Sequence, residues 1–431
     1  MHRRKKQPKA LPAPQKLSIE SIAAGGDGYA FVDGQGWYIP YTQPNDVILA
    51  TPYKCSQNRI YATTTQYFTQ TNHQPICPYF KNCGGCKLQH LSNEDYQGWK
   101  LGQLKKLLNQ GQIVDNINDI IDEVYFAPYH SRRRVTFHLN SQYHLSFYQN
   151  NSHNLTPIES CSILEPRLNG ILPKLQKWLQ RYGSLLGSSC KIHLNLLDNT
   201  ELTILSSKDI SPQLVKPLND LQEIKEIARL CWHDNNQTRI IWQNKPLLAH
   251  WHNISVEIAP MAFLQASQYG EKFLQNKLLE YTQKGKIVID MFCGVGTFSF
   301  TLLEHYKKVM AYDNASLAIT YAKEALKQLP QYQGRLQFIE RDLFRQPLLG
   351  TELSKADMVI LDPPRAGAEE AVRQISHSDI QKIVMISCNP KTFIRDAQQL
   401  KRAGFAIKRL SMLDQFVFSP HMELIAEISR P

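Results

Sequence analysis

The last third of the chain alternates short apolar runs with segments of helical length, and this alternation limits its fold more than any other feature. Four such runs occupy 286–289, 308–312, 357–361 and 382–386. Strands separated by helices pair in parallel, and the helices then cover both faces of the sheet. Residues 256–431 are therefore predicted to form an α/β domain built on a parallel sheet.

A glycine loop, D-M-F-C-G-V-G over 290–296, follows the first of these runs and leads into a predicted helix. Gly294 and Gly296 let the backbone approach a ligand closely. The next run ends in Asp313, where a carboxylate can accept hydrogen bonds from ribose hydroxyls. Neither a complete G-x-G-x-x-G nor a G-K-[ST] is present, which disfavours NAD and ATP. This pattern is typical of a class I (Rossmann-like) S-adenosylmethionine-dependent methyltransferase.

Further functional groups follow the later runs. Asp342, Asp362 and Cys388 each come directly after a predicted strand. Ligands of open α/β sheets bind beyond the carboxyl ends of the strands, so these groups are expected to share one crevice with Asp290 and Phe292. Since a helix is predicted directly after Cys388, its N-terminus is expected to favour the thiolate.

A thiol facing a methyl donor is useful for one kind of acceptor. Addition of a thiolate to C6 of uracil makes C5 nucleophilic, and a base must later remove the C5 proton. Glu423 is the candidate base, because burial at the start of an apolar strand would raise its pKa. His421 is the second choice, and a plain strand-end ion pair of Glu423 is the alternative without chemistry.

The N-terminal region differs in charge and texture. Residues 1–87 hold ten Lys or Arg against four Asp or Glu, a net charge of +6, which favours a polyanionic partner such as nucleic acid. Residues 1–15 are predicted to be a disordered basic arm that is either solvated or in contact with phosphates. Short β-runs and glycine turns over 16–72 predict an OB-like barrel, either an RNA-binding module or a structural addition.

The middle of the chain, 124–255, is predicted to be β-rich, after a helix at 93–108 that is a candidate to pack on the catalytic domain. Arg132, Arg133 and Arg134 begin a predicted hairpin. They either contact phosphates and stack on bases or defend an exposed edge strand.

Three thiols gather within ten residues at Cys77, Cys83 and Cys86, and Cys161 is the chosen fourth ligand. Four thiolates suit zinc or an iron–sulfur cluster, and spacing alone does not separate them. Unmetallated cysteines are the alternative. There is no apolar run of about 18 residues and no secretory signal, so a cytoplasmic protein without a membrane partner is expected.

Together these motifs resemble the RNA uracil-5 methyltransferases, and among them the large bacterial 23S rRNA type. The resemblance covers nearly the whole chain and includes the motifs F-L-Q at 263–265, D-M-F-C-G-V-G at 290–296, D-P-P-R-A-G at 362–367, S-C-N-P at 387–390 and H-M-E at 421–423. It implies a TRAM barrel at 16–72, a central domain with a [4Fe-4S] cluster at 73–255, and the methyltransferase domain at 256–431.

The resemblance also implies residue roles. Cys388 corresponds to the nucleophile and Glu423 to the base. The implied cofactor contacts are Gln265, Phe292, Thr297, Asp313, Asp342 and Asp362, and the implied cluster ligands are Cys77, Cys83, Cys86 and Cys161. Thr297, Asp313 and Ser267 depart from the residues most common in the family, although the first two keep their hydrogen-bonding capacity.

The resemblance implies methylation of C5 of one uridine in 23S rRNA by a monomer that does not act on DNA. The tRNA-type relatives usually lack both barrel and cluster, which argues against a tRNA uridine. An exocyclic-amino methyltransferase on adenine or guanine is a rival, but Arg365 stands where such sites usually have an aromatic residue after D-P-P. A non-catalytic RNA-binding iron–sulfur protein is the third alternative.

Overall fold

The computed structural model describes residues 11–431 except 72, 115, 188, 236 and 252. Most of the predicted basic arm, residues 1–10, lies outside the described residues. Contacts divide the chain into two compact units. The first comprises the described residues up to Leu104, with Tyr148–Thr156 and Phe418–Pro420, and the second comprises the rest.

The first unit contains a six-stranded sheet whose strands follow the order β1-β5-β6-β4-β3-β2. Its strands are β1 (Gln15–Ser18), β2 (Ser21–Ile22), β3 (Gly28–Val32), β4 (Gln35–Ile39), β5 (Val47–Ser56) and β6 (Arg59–Thr69). The two edge strands, β1 and β2, belong to one continuous segment, which pairs first with β5 and then with β3. The change of partner falls between Ile19, whose amide donates to the Asp46 carbonyl, and Glu20, whose amide donates to the Tyr29 carbonyl. The sheet therefore closes on itself, around a core that includes Trp37, Ile39 and Ile60.

The following part of the chain contains one long helix and a second sheet. Its elements are α1 (Asn93–Gly111), β7 (Ile121–Phe126), β8 (Arg134–Leu139), β9 (Leu145–Tyr148), β10 (Leu155–Pro157), α2 (Pro166–Tyr182), β11 (Lys191–Leu196), β12 (Thr200–Leu205), α3 (Pro212–Asp220), β13 (Ile227–Asp234) and β14 (Gln237–Gln243). The second sheet contains β9-β8-β11-β12-β13-β14 as successive neighbours. β8 is thus an interior strand, although β9 pairs with it only at His138 and Leu139, and the predicted arginines lie at its opposite end.

The C-terminal part has the predicted alternation of strands and helices, preceded by a hairpin. Its elements are β15 (Leu248–Trp251), β16 (Ile254–Glu257), α4 (Gln268–Tyr281), β17 (Gly285–Met291), α5 (Thr297–Leu302), β18 (Tyr306–Asp313), α6 (Ser316–Lys327), β19 (Leu336–Glu340), α7 (Gly350–Leu353), β20 (Met358–Leu361), α8 (Glu369–Ser376), β21 (Lys382–Ser387), α9 (Pro390–Arg402), β22 (Ala406–Asp414) and β23 (Glu423–Ser429).

These strands form one eight-stranded sheet in the order β19-β18-β17-β20-β21-β23-β22-β7. The five strands from β19 to β21 are parallel, and β23 pairs antiparallel with both β21 and β22. The order reverses at β17, so the carboxyl ends of β17 and β20 flank a topological switch point where a ligand crevice is expected. β7 joins the far edge parallel to β22, although the sequence had placed this segment in the central domain.

The parallel strands are apolar because helices cover both faces, and Val288, Val309, Ile360 and Val384 are fully buried. Within the described residues, none of the helices combines the length and apolarity that a bilayer crossing needs.

Candidate active site

A cavity of about 780 Å³ opens at the carboxyl ends of the parallel strands in the second unit. Seven of the eight predicted nucleophile, base and cofactor residues line it: Gln265, Phe292, Thr297, Asp313, Asp362, Cys388 and Glu423. They come from the carboxyl ends of four strands and the segments that follow them, from the segment before α4 and from the start of β23. The sheet topology therefore assembles, from distant parts of the chain, the crevice that the sequence predicted.

The glycine loop shapes one wall of this cavity. Gly296 has a φ of 90°, and a Cβ on it would lie 2.8 Å from the Phe338 ring. Gly294 has a φ of 54°, and no atom lies within 4 Å of the position of its absent Cβ. Phe292 holds the left-handed conformation at 68° without being glycine, a strain that proteins tend to keep at functional sites. The loop thus presents its backbone to the cavity at close range.

Asp313 is a carboxylate of the site that accepts hydrogen bonds from two backbone amides. The Gly294 amide donates to its Oδ2 at 2.8 Å, and the Ala315 amide donates to its Oδ1 at 2.8 Å. Each carboxylate oxygen keeps a further lone pair, and these lone pairs can accept from a diol. The predicted role of an acceptor for ribose hydroxyls suits this geometry.

Two other acids behave differently. Asp290 is fully buried, Ser299 donates to its Oδ2 at 2.5 Å, and its Oδ1 has no hydrogen-bond partner in the described structure. Burial, with Asp362 and Asp313 nearby, raises its pKa to about 7. Asp342 does not line the cavity, because its Oδ1 accepts from the amides of Phe344 and Arg345 in its own loop.

Cys388 lies between β21 and α9, half-buried, and the side chain of Asn389 caps the helix by accepting from the Lys391 amide. Burial raises the pKa of the Cys388 thiol to about 11, with the negative charges of Glu423 and Asp362 acting in the same direction and Arg365 opposing them. The expected stabilisation of the thiolate by the helix is therefore outweighed, and Cys388 rests as a thiol.

Glu423 begins β23 and is 3% exposed. Burial raises its pKa to about 7, while the Gln415 amide, which donates to Oε2 at 2.9 Å, and Arg365 hold it lower. Burial also raises the pKa of Asp362 well above its usual range, with Glu423 and Asp313 adding to the effect. A carboxyl with a pKa near 7 is suited to remove a proton at neutral pH.

The arginine triplet has a role that neither sequence interpretation anticipated. Arg133 is 5% exposed, its Nε donates to the Gln265 carbonyl at 3.0 Å, and its Nη2 pairs with Glu271 at 2.6 Å. The Arg134 guanidinium donates to the Leu264 carbonyl and lies 4.6 Å from the centre of the exposed Phe263 ring. These arginines hold the backbone of the segment that carries Gln265.

In the first unit, Cys77, Cys83 and Cys86 are half-exposed, and Cys83 Sγ accepts from the Gly85 amide at 3.4 Å. In the part of the chain that the structure describes, no three His, Cys, Asp or Glu side chains are placed to bind one metal ion. Cys161 belongs to the second unit. As described, Cys77, Cys83 and Cys86 are therefore not arranged around one common metal position.

Sequence reasoning missed several cavity or supporting residues. Phe344 lies on the cavity, 48% exposed, with its ring 5.4 Å from that of Phe292, and the pair can hold a planar group. Asp342, two residues before Phe344, was predicted instead because it is an acid that follows a strand. Gln415 carried no signal, since an isolated glutamine after a strand belongs to no motif.

The chain was compared with known proteins. The family described as tRNA (Uracil-5-)-methyltransferase matches residues 103–429. A Caulobacter vibrioides protein named an uncharacterized RNA methyltransferase is 33% identical and covers 96% of this chain and 100% of its own. The 23S rRNA (uracil(1939)-C(5))-methyltransferase RlmD of Shewanella sp. (strain ANA-3) is 27% identical, covering 97% of this chain and 96% of its own.

Among solved structures, Pyrococcus abyssi tRNA (uracil-54, C5)-methyltransferase in complex with S-adenosyl-L-homocysteine superposes with a TM-score of 0.74 at 20% identity. The match covers 96% of this chain and 100% of that chain. The two proteins therefore share a fold along nearly the whole chain.

The switch-point cavity with its glycine loop and strand-end acids defines a class I S-adenosylmethionine-dependent methyltransferase. With three quarters of its length matched, the chain belongs to the RNA uracil-5-methyltransferase family.

Proposed function

We propose that this protein methylates C5 of a specific uridine in 23S rRNA, with Cys388 as nucleophile and Glu423 as base. One observation carries the proposal: a thiol and a buried carboxyl with a pKa near 7 line the same cavity as the glycine loop. Methylation of an exocyclic amine needs no thiol, and a binding module needs neither group.

S-adenosylmethionine supplies an electrophilic methyl group when bound. Cys388 loses its proton, and ionised Asp362 is the proposed acceptor because its charge acts directly on the thiol. The thiolate adds to C6 of the uracil, and C5 then takes the methyl group, which leaves S-adenosylhomocysteine as the second product. Glu423 removes the C5 proton, the C6–S bond breaks, and Cys388 is released together with 5-methyluridine.

The cofactor end is proposed to use Gln265, Phe292, Thr297, Asp313 and Asp362, which line the cavity. Asp342 acts there through its loop, since its carboxylate holds the backbone beside the exposed Phe344.

The test is denaturing electrophoresis of the protein after incubation with 5-fluorouridine-substituted RNA and S-adenosylmethionine. Fluorine at C5 does not leave as a proton does, so the enzyme is expected to remain covalently attached to the RNA. The adduct should vanish in Cys388→Ala and persist in Cys293→Ala, a matched control because Cys293 is a second thiol on the same cavity.

Methyl transfer without an adduct would reject uracil C5 and favour the exocyclic-amino reaction. Neither adduct nor transfer with any RNA, but normal cofactor binding, would favour a non-catalytic RNA-binding protein.

The RNA class is supported by the full-length similarity to the 23S rRNA enzyme of Shewanella, whereas the fold match to the archaeal tRNA enzyme favours a tRNA uridine as the second candidate. Fragments of 23S rRNA and tRNA transcripts, each substituted with 5-fluorouridine, should be offered in competition. Trapping of an rRNA fragment is expected, and exclusive trapping of tRNA would reject the rRNA assignment.

The barrel offers a surface suited to the RNA. Cross-strand pairing places Tyr29 beside Tyr38, Tyr38 beside Tyr61, and Tyr61 beside Lys54. The Tyr38 and Tyr61 rings stack at 5.5 Å, and Arg59 lies 5.9 Å from the centre of the Tyr38 ring. We call Tyr29, Tyr38, Tyr61, Lys54 and Arg59 the tyrosine row. Aromatic rings flanked by cations stack on bases and attract the backbone of single strands.

The double variant Tyr38→Ala/Tyr61→Ala is expected to weaken RNA binding by about 10- to 100-fold, measured by filter binding, with cofactor affinity unchanged. Phe68→Ala is the control, because Phe68 is an exposed aromatic residue on the same strand as Tyr61 and also has a cation, Lys16, over its ring. Equal losses in both variants would reject a specific role of the tyrosine row.

Cys77, Cys83, Cys86 and Cys161 are proposed to hold a [4Fe-4S] cluster, with zinc as the alternative; the C-x5-C-G-G-C spacing supports this. Anaerobically purified protein should contain about four irons with broad visible absorption, both lost in Cys83→Ser but retained in Cys190→Ser. Stoichiometric zinc without iron would favour the alternative.

A further inference from the structure

Gln415 links two functional residues that lie far apart in the sequence. It is 3% exposed and follows β22 directly. Its side-chain nitrogen lies 2.8 Å from Gln265 Oε1 and 2.9 Å from Glu423 Oε2. One amide nitrogen therefore donates to the candidate cofactor contact and to the candidate base at the same time.

This bridge fixes the direction of the hydrogen bonds on both sides. In its ionised form Glu423 only accepts, and the nitrogen of Gln415 faces it accordingly. The same nitrogen then offers its second hydrogen to Gln265 Oε1. Because that oxygen is occupied, the NH₂ group of Gln265, a residue that lines the cavity, is left free to donate to a ligand.

The oxygen of Gln415 shows that the position is not optimised for packing alone. Gln415 Oε1 is buried and has no hydrogen-bond partner in the described structure, which costs free energy. Gly270 leaves room for it, since a Cβ there would lie 2.9 Å from this oxygen. An apolar residue of the same length would avoid the unpartnered oxygen but would lose both donors.

We propose that Gln415 is a positioning residue that presents Gln265 as a hydrogen-bond donor to the cofactor and holds Glu423 with one oxygen occupied and the other free for the C5 proton. Only the role of Gln415 toward Glu423 rests on the proposed function. The donated bond also stabilises the charged carboxylate, which agrees with the lowering effect of Gln415 on the pKa of Glu423.

The first test concerns the base. In single turnovers with ordinary uridine RNA, decay of the covalent enzyme–RNA adduct requires ionised Glu423. Gln415→Met should shift the acidic limb of this decay upward by about one pH unit, because the carboxylate loses a donor. Gln415→Glu, which keeps the size, should shift it further by facing one carboxyl with another.

Gln275→Met is the matched control, since Gln275 is also a buried amide but donates to Thr297 and Thr301 instead. The acidic limb of adduct decay in Gln275→Met should stay at the wild-type pH. An unchanged limb in both Gln415 variants, or an equal shift in Gln275→Met, would overturn the role toward Glu423. Gln415→Glu also serves if Gln415→Met does not fold.

The second test does not depend on the reaction. Gln415→Met should weaken binding of S-adenosylhomocysteine, measured by calorimetry, by about two- to tenfold, and the effect should disappear in a Gln265→Met background. Additive losses would overturn the link to Gln265. Absence of a 5-fluorouridine adduct in the wild-type protein would reject the proposed function, yet this binding cycle would still decide the role toward Gln265.

Discussion

The two ends of the cavity treat their acidic residues in opposite ways. At the cofactor end, both oxygens of Asp313 accept from backbone amides. Toward the catalytic end, buried Glu423 and half-buried Asp362 lie beside the Cys388 thiol. Burial raises the pKa values of all three groups, and repulsion by nearby carboxylates adds to the rise for Asp362 and Cys388. Backbone donors thus suit an acid for binding, whereas their scarcity leaves an acid ready to exchange protons.

The largest effect is expected from Glu423→Gln, which keeps the shape of the base but removes its proton acceptor. Turnover should fall by about 10²- to 10⁴-fold, and an adduct with ordinary uridine RNA should accumulate. Cofactor affinity should change little. His421→Asn is the contrast: a larger loss of adduct decay there than in Glu423→Gln would make His421 the base.

At the opposite end, Asp313→Ala removes an acceptor from two amides and from the proposed ribose contact. The dissociation constant of S-adenosylhomocysteine should rise by about 10- to 100-fold, measured by calorimetry. Turnover at saturating cofactor should recover most of its wild-type value. A low turnover that persists at saturation would contradict the division of labour between the two ends.

The pH dependence follows from the raised pKa of Glu423. Because the base must be ionised, adduct decay should fall about tenfold per pH unit below pH 7 and level off above it. Cofactor affinity should stay nearly constant across the same range. Parallel profiles for decay and for cofactor binding would show that the two ends titrate together.

The smallest effect concerns stability. Burial raises the pKa of Glu423 from 4.5 to about 7, so its contribution to stability is fully present below pH 4.5 and is lost as the pH rises through 7. The loss is about 3 kcal/mol at pH 8. Glu423→Gln should therefore melt a few degrees above the wild type at pH 8 and alongside it near pH 4.5.

Glu427→Gln is the control for this melting experiment, because Glu427 lies on the same strand but pairs with Lys382 and Arg409. It should not gain stability at pH 8. A gain in both variants would trace the effect to net charge and not to the buried base.

The sequence predicted the parts of this site that local rules govern. Apolar runs between helical segments give a parallel sheet, and residues after its strands meet at one edge, which placed Asp313, Asp362 and Cys388 correctly on the cavity. Asp342 follows the same pattern, but its own loop offers two amides at shorter range. The position of a residue after a strand therefore predicts which edge of the sheet it occupies. It does not predict where its side chain points, because nearby hydrogen-bond donors decide that.

Other features depend on contacts between distant segments. Arg133 is buried because Glu271 and the Gln265 carbonyl, more than 130 residues away, meet it there. β7 joins the catalytic sheet because the β22 edge offers an open backbone ladder. The pKa of Cys388 reflects two carboxyls and one guanidinium that no local pattern brings beside the helix. Such features emerge only once the chain has folded.

The closed sheet of the first unit has a further consequence. Because one segment, Gln15–Ile22, supplies both of its outer strands, neither end of the strand order is a free edge among the described residues. The open backbone lies elsewhere, on the β5–β6 hairpin, where pairing of β5 with β1 ends at Ala50 and pairing of β6 with β4 ends at Tyr61. A neighbouring molecule that adds a strand to this sheet would therefore find its template on that hairpin, next to Lys54 and Tyr61 of the tyrosine row, and not along Gln15–Ile22.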